Sequence, residues 1–555
     1  MKSLALALCA ALSLPFSAFA QPAPAAAEEP PLFGEVIDVR VVNVEAVVTD
    51  KAGRRVSDLK AGDFRLRVDG VEVPIGFFSE VREGRSVGSP DGGSTASTAS
   101  GAPGGAAPGE AVGTGYLVFI DDYFSVAFRR NEVLEALKKD LDRLGPKDKM
   151  AVVAFDGARL ATLSGWTGSA DELRRVLDAA KTRPARGIDR ISELHSFQDS
   201  ADFSDHFEDT GVSDPLQKRM LSSGLSMQEH AYGDTLVRQI DAVVSGAVSA
   251  MRGASSPGGR KVMLLLSGGW PFSPQGFIRG TDDVPPSREL PDGENLLRPL
   301  TSTANLLGFT IYPVDVPGIE TGGTADATTF AAPQPGRVTL NVREQEIEGS
   351  LSFIAGETGG RALLNSSRDK ALTMAADDVR SYYWLGFSPA WERNDKRHKV
   401  EVLATRPGLR VRSRNSFLDL SEKAAVSMRM ESALMLGNLP DGVPMPMKLG
   451  APVKAKGMTE IPITLGLPVS ALTIFPFNGQ FRAQVQLRVA AADENGNRSE
   501  VPVLSIDLNS PAPPKAGGFV RYQTTLKIRG KAQHIVVATY DLMSGKIATA
   551  EADIP

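Results

Sequence analysis

The chain has 555 residues, with 61 basic and 66 acidic side chains, a formal net charge of −5 and a single cysteine. This mildly acidic balance argues against nucleic acid or an anionic membrane surface as a partner. The length corresponds to roughly three or four domains of ordinary size.

The first 20 residues have the three parts of a secretory signal peptide. Lys2 precedes an apolar run from Leu4 to Leu14, and the small-x-small triplet Ala18-Phe19-Ala20 stands just before Gln21. The run is shorter than the ~20 apolar residues that span a bilayer, and no later stretch reaches that length. We therefore expect cleavage after residue 20 and a secreted or periplasmic mature protein without a transmembrane segment.

The only cysteine, Cys9, lies within this signal. A lipoprotein interpretation is disfavoured because Leu8 occupies the position where a lipidation motif has a small residue. The mature chain would then have no disulfide, no thiol nucleophile and no thiolate metal site. Large hydrophobic cores must stabilise it instead.

A Pro/Ala/Glu-rich leader at residues 21–35 precedes a small β module predicted at residues 36–81. A strand is predicted from Val36 to Val48, and a hairpin is predicted about Asp69-Gly70. Residues 82–112 are rich in Gly, Ser, Ala and Pro. That composition predicts a flexible linker.

Residues 113–380 alternate strands and helices, which is typical of a doubly wound α/β sheet. The predicted strands are Tyr116–Ile120, Met150–Phe155, Ala158–Leu163, Lys261–Ser267 and Thr310–Val314. The predicted helices are Arg130–Leu144, Ala170–Ala180, Asp234–Met251, Glu294–Leu307, Glu344–Thr358 and Asp369–Arg380. A polar stretch at about 182–232 interrupts the alternation, and we interpret it as an insertion.

Ligands of open parallel sheets bind beyond the carboxyl ends of the strands, an edge called the top face below. The first strand is followed there by Asp121-Asp122-Tyr123-Phe124-Ser125, and the central strand is followed by Ser267-Gly268-Gly269. Trp270 and Phe272 come next. Exposed aromatic residues at this edge would be contact sites for a partner, and core packing is the alternative.

This order of elements, with an acidic loop and a Gly-Gly loop, resembles a von Willebrand factor A domain. Such domains carry a metal-ion-dependent adhesion site: Asp-x-Ser-x-Ser after the first strand, a Thr in a second loop and an Asp in a third. The resemblance maps Asp121, Ser125 and Thr235 onto three of these positions. Tyr123 replaces the first Ser, and Ser267 or the following Gly stands where the third-loop Asp belongs.

The departures imply a degenerate site at which Mg²⁺ or Mn²⁺ binds weakly or not at all. The alternative is that Asp121 and Asp122 cap the following helix and turn the chain. The metal-ligand candidates are Asp121, Ser125 and Thr235. The predicted binding residues are Asp121, Asp122, Tyr123, Ser125, Thr235, Ser267 and Trp270.

The flanking segments are similar to bacterial exported VWFA-related proteins, a family catalogued mainly from Acidobacteria. The markers are Val39-Arg40-Val41-Val42-Asn43-Val44, Asp63-Phe64 and Asp69-Gly70, then Tyr382-Tyr383-Trp384-Leu385-Gly386-Phe387-Ser388-Pro389 and Arg406-Pro407-Gly408-Leu409. The resemblance covers about Val36 to Phe417. It implies that a β segment at residues 381–419 pairs with the N-terminal module, so that the α/β domain is inserted in a β-sandwich.

Beyond a predicted helical connector at residues 420–437, the chain becomes β-rich again. Short strands separated by turns at residues 438–555 predict an immunoglobulin-like β-sandwich. The predicted fold is therefore multidomain α/β plus all-β: a von Willebrand factor A-like sheet flanked by β-rich modules, with an immunoglobulin-like sandwich last.

The sequence contains no nucleophile elbow, no His-Glu-x-x-His and no phosphate loop. Acidic and histidine residues gather in the insertion, at His195, Asp199, Asp202, Asp205, His206, Glu208 and Asp209. They offer ligands to Ca²⁺ or Zn²⁺, and a solvated polar loop is the alternative. We therefore predict an exported module, not an enzyme, that binds a protein or envelope partner through its top face. A metal-dependent hydrolase and a purely structural envelope component remain alternatives.

Overall fold

The computed structural model describes residues 41–88, 109–209, 215–254, 259–279, 289–316, 337–364, 370–421, 424, 426–427, 430, and 443–554 except 456–457, 478, 494–502, 516, 530–531 and 545. The predicted signal peptide and leader lie outside the described residues. The described part is a mixed α/β and β-rich chain with several sheets. No helix within it is both long enough and apolar enough to cross a membrane.

Strands from two distant parts of the sequence build the first sandwich. These are β1 Val42–Thr49, β2 Phe64–Val68, β3 Val71–Val73, β4 Phe77–Arg82 and β5 Arg85–Gly88, then β11 Tyr382–Phe387, β12 Arg397–Ala404, β13 Arg410–Ser413 and β14 Ser416–Leu418. One sheet has the order β13-β1-β11-β4-β5 and the other β14-β12-β2-β3. Val44 pairs with Leu385 and Leu66 with Val402, and all four side chains belong to one buried cluster. The pairing implied for residues 381–419 is thus present.

A tight hairpin corrects the predicted start of the linker. β4 pairs with β5 through a turn in which Glu83 and Gly84 have φ of 50° and 72°. Two successive residues with positive φ make the type I′ turn, whose twist matches that of antiparallel strands. Residues 82–88 are therefore strand and turn, and Arg85 also bridges Ala111. Residues 89–108 lie outside the described part of the chain.

The α/β lobe follows. Its strands are β6 Thr114–Asp121, β7 Lys149–Phe155, β8 Leu160–Thr167, β9 Arg260–Ser267 and β10 Phe309–Asp315. Its helices are α1 Ala127–Asp140, α2 Ala170–Lys181, α3 Gly187–Asp209, α4 Pro215–Gly253, α5 Pro274–Arg279, α6 Gly293–Leu307, α7 Arg337–Thr358 and α8 Ala371–Val379. The sheet order is β10-β9-β6-β7-β8, parallel except for the antiparallel edge strand β8.

Counted from β6, this strand order is 3-2-1-4-5, the doubly wound arrangement that the sequence predicted. Alternate residues of β6 enter two separate cores: Leu117 and Phe119 face α4 and α6, whereas Val118 and Ile120 face α1, α2 and α8. All eight residues of β6 are buried, because helices cover both faces of the sheet.

The insertion is helical, which corrects its prediction as a polar loop. It forms α3 and the first half of α4, a helix of 39 residues. The second half of α4 carries a stripe of core residues, including Leu236, Ile240 and Val243. Periodicity detects a helix by such a stripe, so the sequence indicated helix only from Asp234 onward.

Two further sheets form a second sandwich. Its strands are β15 Val443–Pro444, β16 Met447–Leu449, β17 Val453–Ala455, β18 Met458–Pro468, β19 Phe475–Phe477, β20 Gln480–Asp493, β21 Val503–Ser510, β22 Phe519–Arg529, β23 Ala532–Asp541 and β24 Ile547–Asp553. Ile463 of one sheet and Leu487 and Val537 of the other share one core, so the sheets pack face to face. The predicted connector at 420–437 lies largely outside the described residues.

Candidate functional site

The acidic loop and the Gly-Gly loop meet at the top face. β6 and β9 are parallel neighbours with Ile120 opposite Leu266, so Asp121 and Ser267 end their strands side by side. The Ser267 hydroxyl donates a hydrogen bond of 2.6 Å to Asp121 Oδ2. The two loops therefore lie side by side at the carboxyl ends of their strands.

Asp121 lies at the centre of the cluster and is fully buried. Its Oδ1 accepts from the backbone N–H groups of Tyr123 at 3.0 Å and Phe124 at 3.1 Å. Its Oδ2 accepts from Ser267 Oγ and from Trp270 Nε1, the latter at 3.1 Å. A carboxylate has about four acceptor positions, so these four donors engage all of them.

Burial raises the pKa of Asp121 to about 6, and the hydrogen bonds from Ser267, Phe124 and Trp270 oppose that rise. The charged form remains accessible because every one of its four partners is a donor. Asp121 is therefore mainly ionised above about pH 6 and mainly protonated below it.

The side chains that the resemblance assigns to a metal do not fit one. Mg²⁺ requires oxygen ligands with free lone pairs, usually including one or two carboxylates. Asp121 has no free acceptor position, and the Thr235 hydroxyl accepts from the Arg238 guanidinium at 2.9 Å and donates to the Ala231 carbonyl of its own helix at 2.8 Å. Ser125 Oγ is buried and has no hydrogen-bond partner in the described structure. The described residues contain no group of three His, Cys, Asp or Glu side chains arranged to hold a metal ion.

The prediction of an exposed aromatic contact at Trp270 is wrong, and the alternative of core packing is right. Trp270 is completely buried in the same cluster as the β6 side chains. A buried indole needs an acceptor for its N–H, and Asp121 supplies it. Phe272 is half-buried and packs on Phe353, with 5.3 Å between ring centroids.

Asp122 points away from Asp121 into a buried ion pair. Its Oδ1 lies 2.5 Å from Arg130 Nη1, and its Oδ2 lies 2.8 Å from Arg183 Nε. Burial raises the pKa of Asp122, and the charge of Arg130 opposes the rise. Arg130 Nη2 also donates to the carbonyls of Lys181 and Arg183, so the pair joins α1 to the end of α2.

The alternative prediction was that Asp121 and Asp122 turn the chain and cap the following helix, and only the turn is present. Asp121 turns the chain, because it accepts from the N–H groups two and three residues on. Neither aspartate caps α1, whose N-cap is Val126 without a side-chain hydrogen bond.

The insertion covers the acidic loop. The N–H of Arg186 donates to the Asp122 carbonyl at 2.7 Å, and that of Gly187 donates to the Ser125 carbonyl at 3.0 Å. The Arg190 guanidinium lies 4.5 Å from the centre of the Tyr123 ring. Helix α3 thus begins on top of the loop, and five of the seven predicted binding residues lie buried beneath the surface: Asp121, Asp122, Ser125, Ser267 and Trp270.

Sequence reasoning missed the arginines of this region. Arg183 and Arg190 contact loop residues far from them in sequence, and Arg130 reaches Asp122 across the turn between β6 and α1, so no motif spacing marks any of the three. The predicted cluster from His195 to Asp209 lies on α3, and its side chains from Asp199 to Asp209 are outside the described part. Glu193, on the same helix, accepts from Arg190 Nη2 at 2.6 Å and from Gln239 Nε2 at 2.9 Å.

No family model and no curated protein matches the chain. Solved structures with some similarity include the pilus adhesin SpaC from Lactobacillus rhamnosus GG (TM-score 0.26, 8% identity, 80% of this chain and 56% of that one) and bovine butyrophilin (0.12, 12%, 32% and 64%). A β-glucosidase from Kluyveromyces marxianus has a TM-score of 0.14 at 9% identity, over 56% of this chain and 33% of that one. The chain thus spans little more than half the length of the adhesin. These similarities carry no argument about function.

Proposed function

We propose that this chain is an exported binding module built on a von Willebrand factor A-type domain whose adhesion loop works without a metal ion. The observation that carries the proposal is the Asp121 carboxylate, with its four acceptor positions engaged by Tyr123, Phe124, Ser267 and Trp270. The indole N–H takes an acceptor position that a metal ion would need.

The strand order supports the family assignment. β6 and β9 mark the point at which the winding of the sheet reverses, and open α/β sheets bind their ligands there. Asp121 and Ser267 stand at this point, as the adhesion loops of the family would. The antiparallel edge strand β8 agrees with the same domain type.

Burial at the loop supports binding rather than catalysis. Ser267 is the only hydroxyl hydrogen-bonded to Asp121 among the described residues, and it is fully buried together with that carboxylate. A serine nucleophile needs a base in hydrogen-bond reach and access to substrate. This pair offers no such access.

Two exposed apolar side chains beside the loop are the better candidates for partner contact. Phe128, in the first turn of α1, is 42% exposed, and Ile188, in the first turn of α3, is 50% exposed. The hydrogen bond from Gly187 N to the Ser125 carbonyl brings these two helix starts together. We assign them the contact role that was predicted for Trp270, because a contact residue must reach the surface.

The test is affinity capture of cell-envelope proteins by the mature chain, in Mg²⁺ and in chelator, with metal analysis of the purified protein. We expect a metal-free protein and the same captured partner in both buffers. The double variant Phe128→Asp, Ile188→Asp should lose that partner. The control Val71→Asp, at a 67% exposed site in the first sandwich, should keep it. Stoichiometric bound metal, or loss of capture in chelator, would overturn the proposal.

A further inference from the structure

A cleft of about 690 Å³ opens between the first sandwich and the α/β lobe. Its walls come from the outward face of β1, strand β13, helix α8 and the segment after α7. It shares no residue with the acidic loop. Four arginines line it, and we call it the arginine cleft: Arg55, Arg361, Arg410 and Arg412.

The two inner arginines share one carboxylate as their ion-pair partner. Arg55 and Arg412 both donate to Asp378, which also accepts from the Tyr312 hydroxyl at 2.5 Å. Burial opposes ionisation of Asp378, but the charges of Arg412 and Arg55 hold its pKa below the ordinary value. This network joins α8 and β10 to the sandwich and holds the inner wall in place.

The cleft keeps an excess of positive charge. Asp377 and Asp378 are its only carboxylates, against four guanidinium groups. Arg361 and Arg410 are exposed and form no ion pair with any carboxylate that the structure describes. Arg55 Nη1 is buried without a hydrogen-bond partner in the described part of the chain. Guanidinium groups that lack a carboxylate partner within the protein are suited to bidentate binding of carboxylates or phosphates from a ligand.

The backbone beside these arginines favours a peptide over a free phosphate. β13 is the last strand of its described sheet and pairs only with β1 there. Gly359 lies against Ser413 at one end of this strand, and Arg410 at the other end is exposed. An open strand edge accepts an extended chain through backbone hydrogen bonds. Arg410 and Arg412 share one face of the strand, since side chains alternate with a period of two.

We propose that the arginine cleft binds an extended acidic segment of a partner protein, which adds to the edge of β13 and places carboxylates against Arg361 and Arg410. Alternate acidic residues of such a strand match the spacing of Arg410 and Arg412. The binding is independent of the top face and adds a second contact site to the chain.

The experiment measures binding of fluorescein-labelled hexaglutamate to the mature chain by fluorescence anisotropy. We expect binding that weakens as salt is raised, because the charges are largely exposed. The double variant Arg361→Glu, Arg410→Glu should bind at least about tenfold more weakly, a loss of about 1.4 kcal/mol. Arg175→Glu, which reverses an exposed charge on α2, should bind as the wild type does.

Three controls make the result decisive. Circular dichroism must show the same unfolding midpoint for the double variant and the wild type, which separates lost binding from lost fold; if the midpoints differ, the single variants replace it. A Glu-Pro alternating peptide should bind more weakly, since proline cannot donate to a strand edge. The Phe128→Asp, Ile188→Asp variant should bind hexaglutamate normally, so failure of the top-face proposal leaves this one standing. Any of four results would overturn the arginine-cleft proposal. These are undiminished binding by the double variant, no binding by the wild type, equal binding of the Glu-Pro peptide, and tighter binding of pyrophosphate than of hexaglutamate.

Discussion

Replacing Trp270 with Phe removes the indole N–H 3.1 Å from Asp121 Oδ2 and keeps an aromatic ring in the core. A hydrogen bond to a charged group contributes about 1.5–3 kcal/mol. The smaller ring leaves a cavity that costs about 1 kcal/mol more. We therefore expect Trp270→Phe to destabilise the α/β lobe by about 2.5–4 kcal/mol while Asp121 is ionised.

The expected loss depends on pH because the acceptor titrates. Below its pKa of about 6, Asp121 is mainly neutral, and a neutral hydrogen bond contributes only about 0.5–1.5 kcal/mol. The destabilisation by Trp270→Phe should then fall to about 1.5–2.5 kcal/mol. A purely steric effect of the smaller ring would not change with pH.

Amide hydrogen exchange of β6 and β9 measures this lobe directly, whereas a whole-chain unfolding midpoint would mix several lobes. The opening free energy is compared at a pH well above and a pH well below 6. Trp166→Phe is the matched control, because the Trp166 indole N–H is buried without a hydrogen-bond partner in the described structure. Equal losses for both variants, or a Trp270→Phe loss that is the same at both pH values, would refute the indole–carboxylate bond.

Three further outcomes are expected. Arg130→Met removes a partner of the buried Asp122 carboxylate and should lower the opening free energy of the lobe, measured by hydrogen exchange, by about 3–5 kcal/mol. The control Arg129→Met, at an exposed ion pair, should lower it by less than about 1 kcal/mol. Similar losses for the two variants would contradict the buried pair. Gly360→Ala would place a Cβ 1.8 Å from a carbonyl oxygen of β10 and should lower the thermal unfolding temperature. The control Gly356→Ala, on α7, meets no atom within 4 Å and should preserve or raise that temperature. An unchanged unfolding temperature for Gly360→Ala would exclude the close approach. The raised pKa of Asp121 means that its contribution to stability is complete below the unfolded pKa of about 3.8 and is lost as pH rises through about 6. The stability of the wild type relative to Asp121→Asn should therefore fall by about 3 kcal/mol over that range, and a constant difference would show that Asp121 does not titrate there.

The doubly wound sheet was predictable because its signals are local. A fully buried strand such as β6 is a continuous apolar run, and the second half of α4 shows a helical stripe. The first half of α4 was missed because the polar composition of residues 182–232 predicted an insertion rather than a helix. The turn after β4 and strand β5 lie at the start of the stretch at residues 82–112, which composition assigned to a linker.

The candidate site was predictable in position but not in orientation. Asp121 and Asp122 are neighbours in sequence, yet one enters a network of neutral donors and the other an arginine pair. Alternation along an extended chain sends successive side chains to opposite faces, but their partners come from other elements. Nothing near Trp270 in sequence shows that its N–H points at a carboxylate.

By itself, the sequence determined the order of β, α/β and β segments and the strand ends at which Asp121 and Ser267 stand, because periodicity and turn residues act over a few positions. Only the tertiary structure decided that Asp121 is saturated with donors, that α3 covers its loop and that four arginines share one cleft. The physical reason is distance along the chain. Ser267 and Trp270 lie 146 and 149 positions from Asp121, and Arg55 lies 323 positions from Asp378. Only folding brings such groups into hydrogen-bond contact.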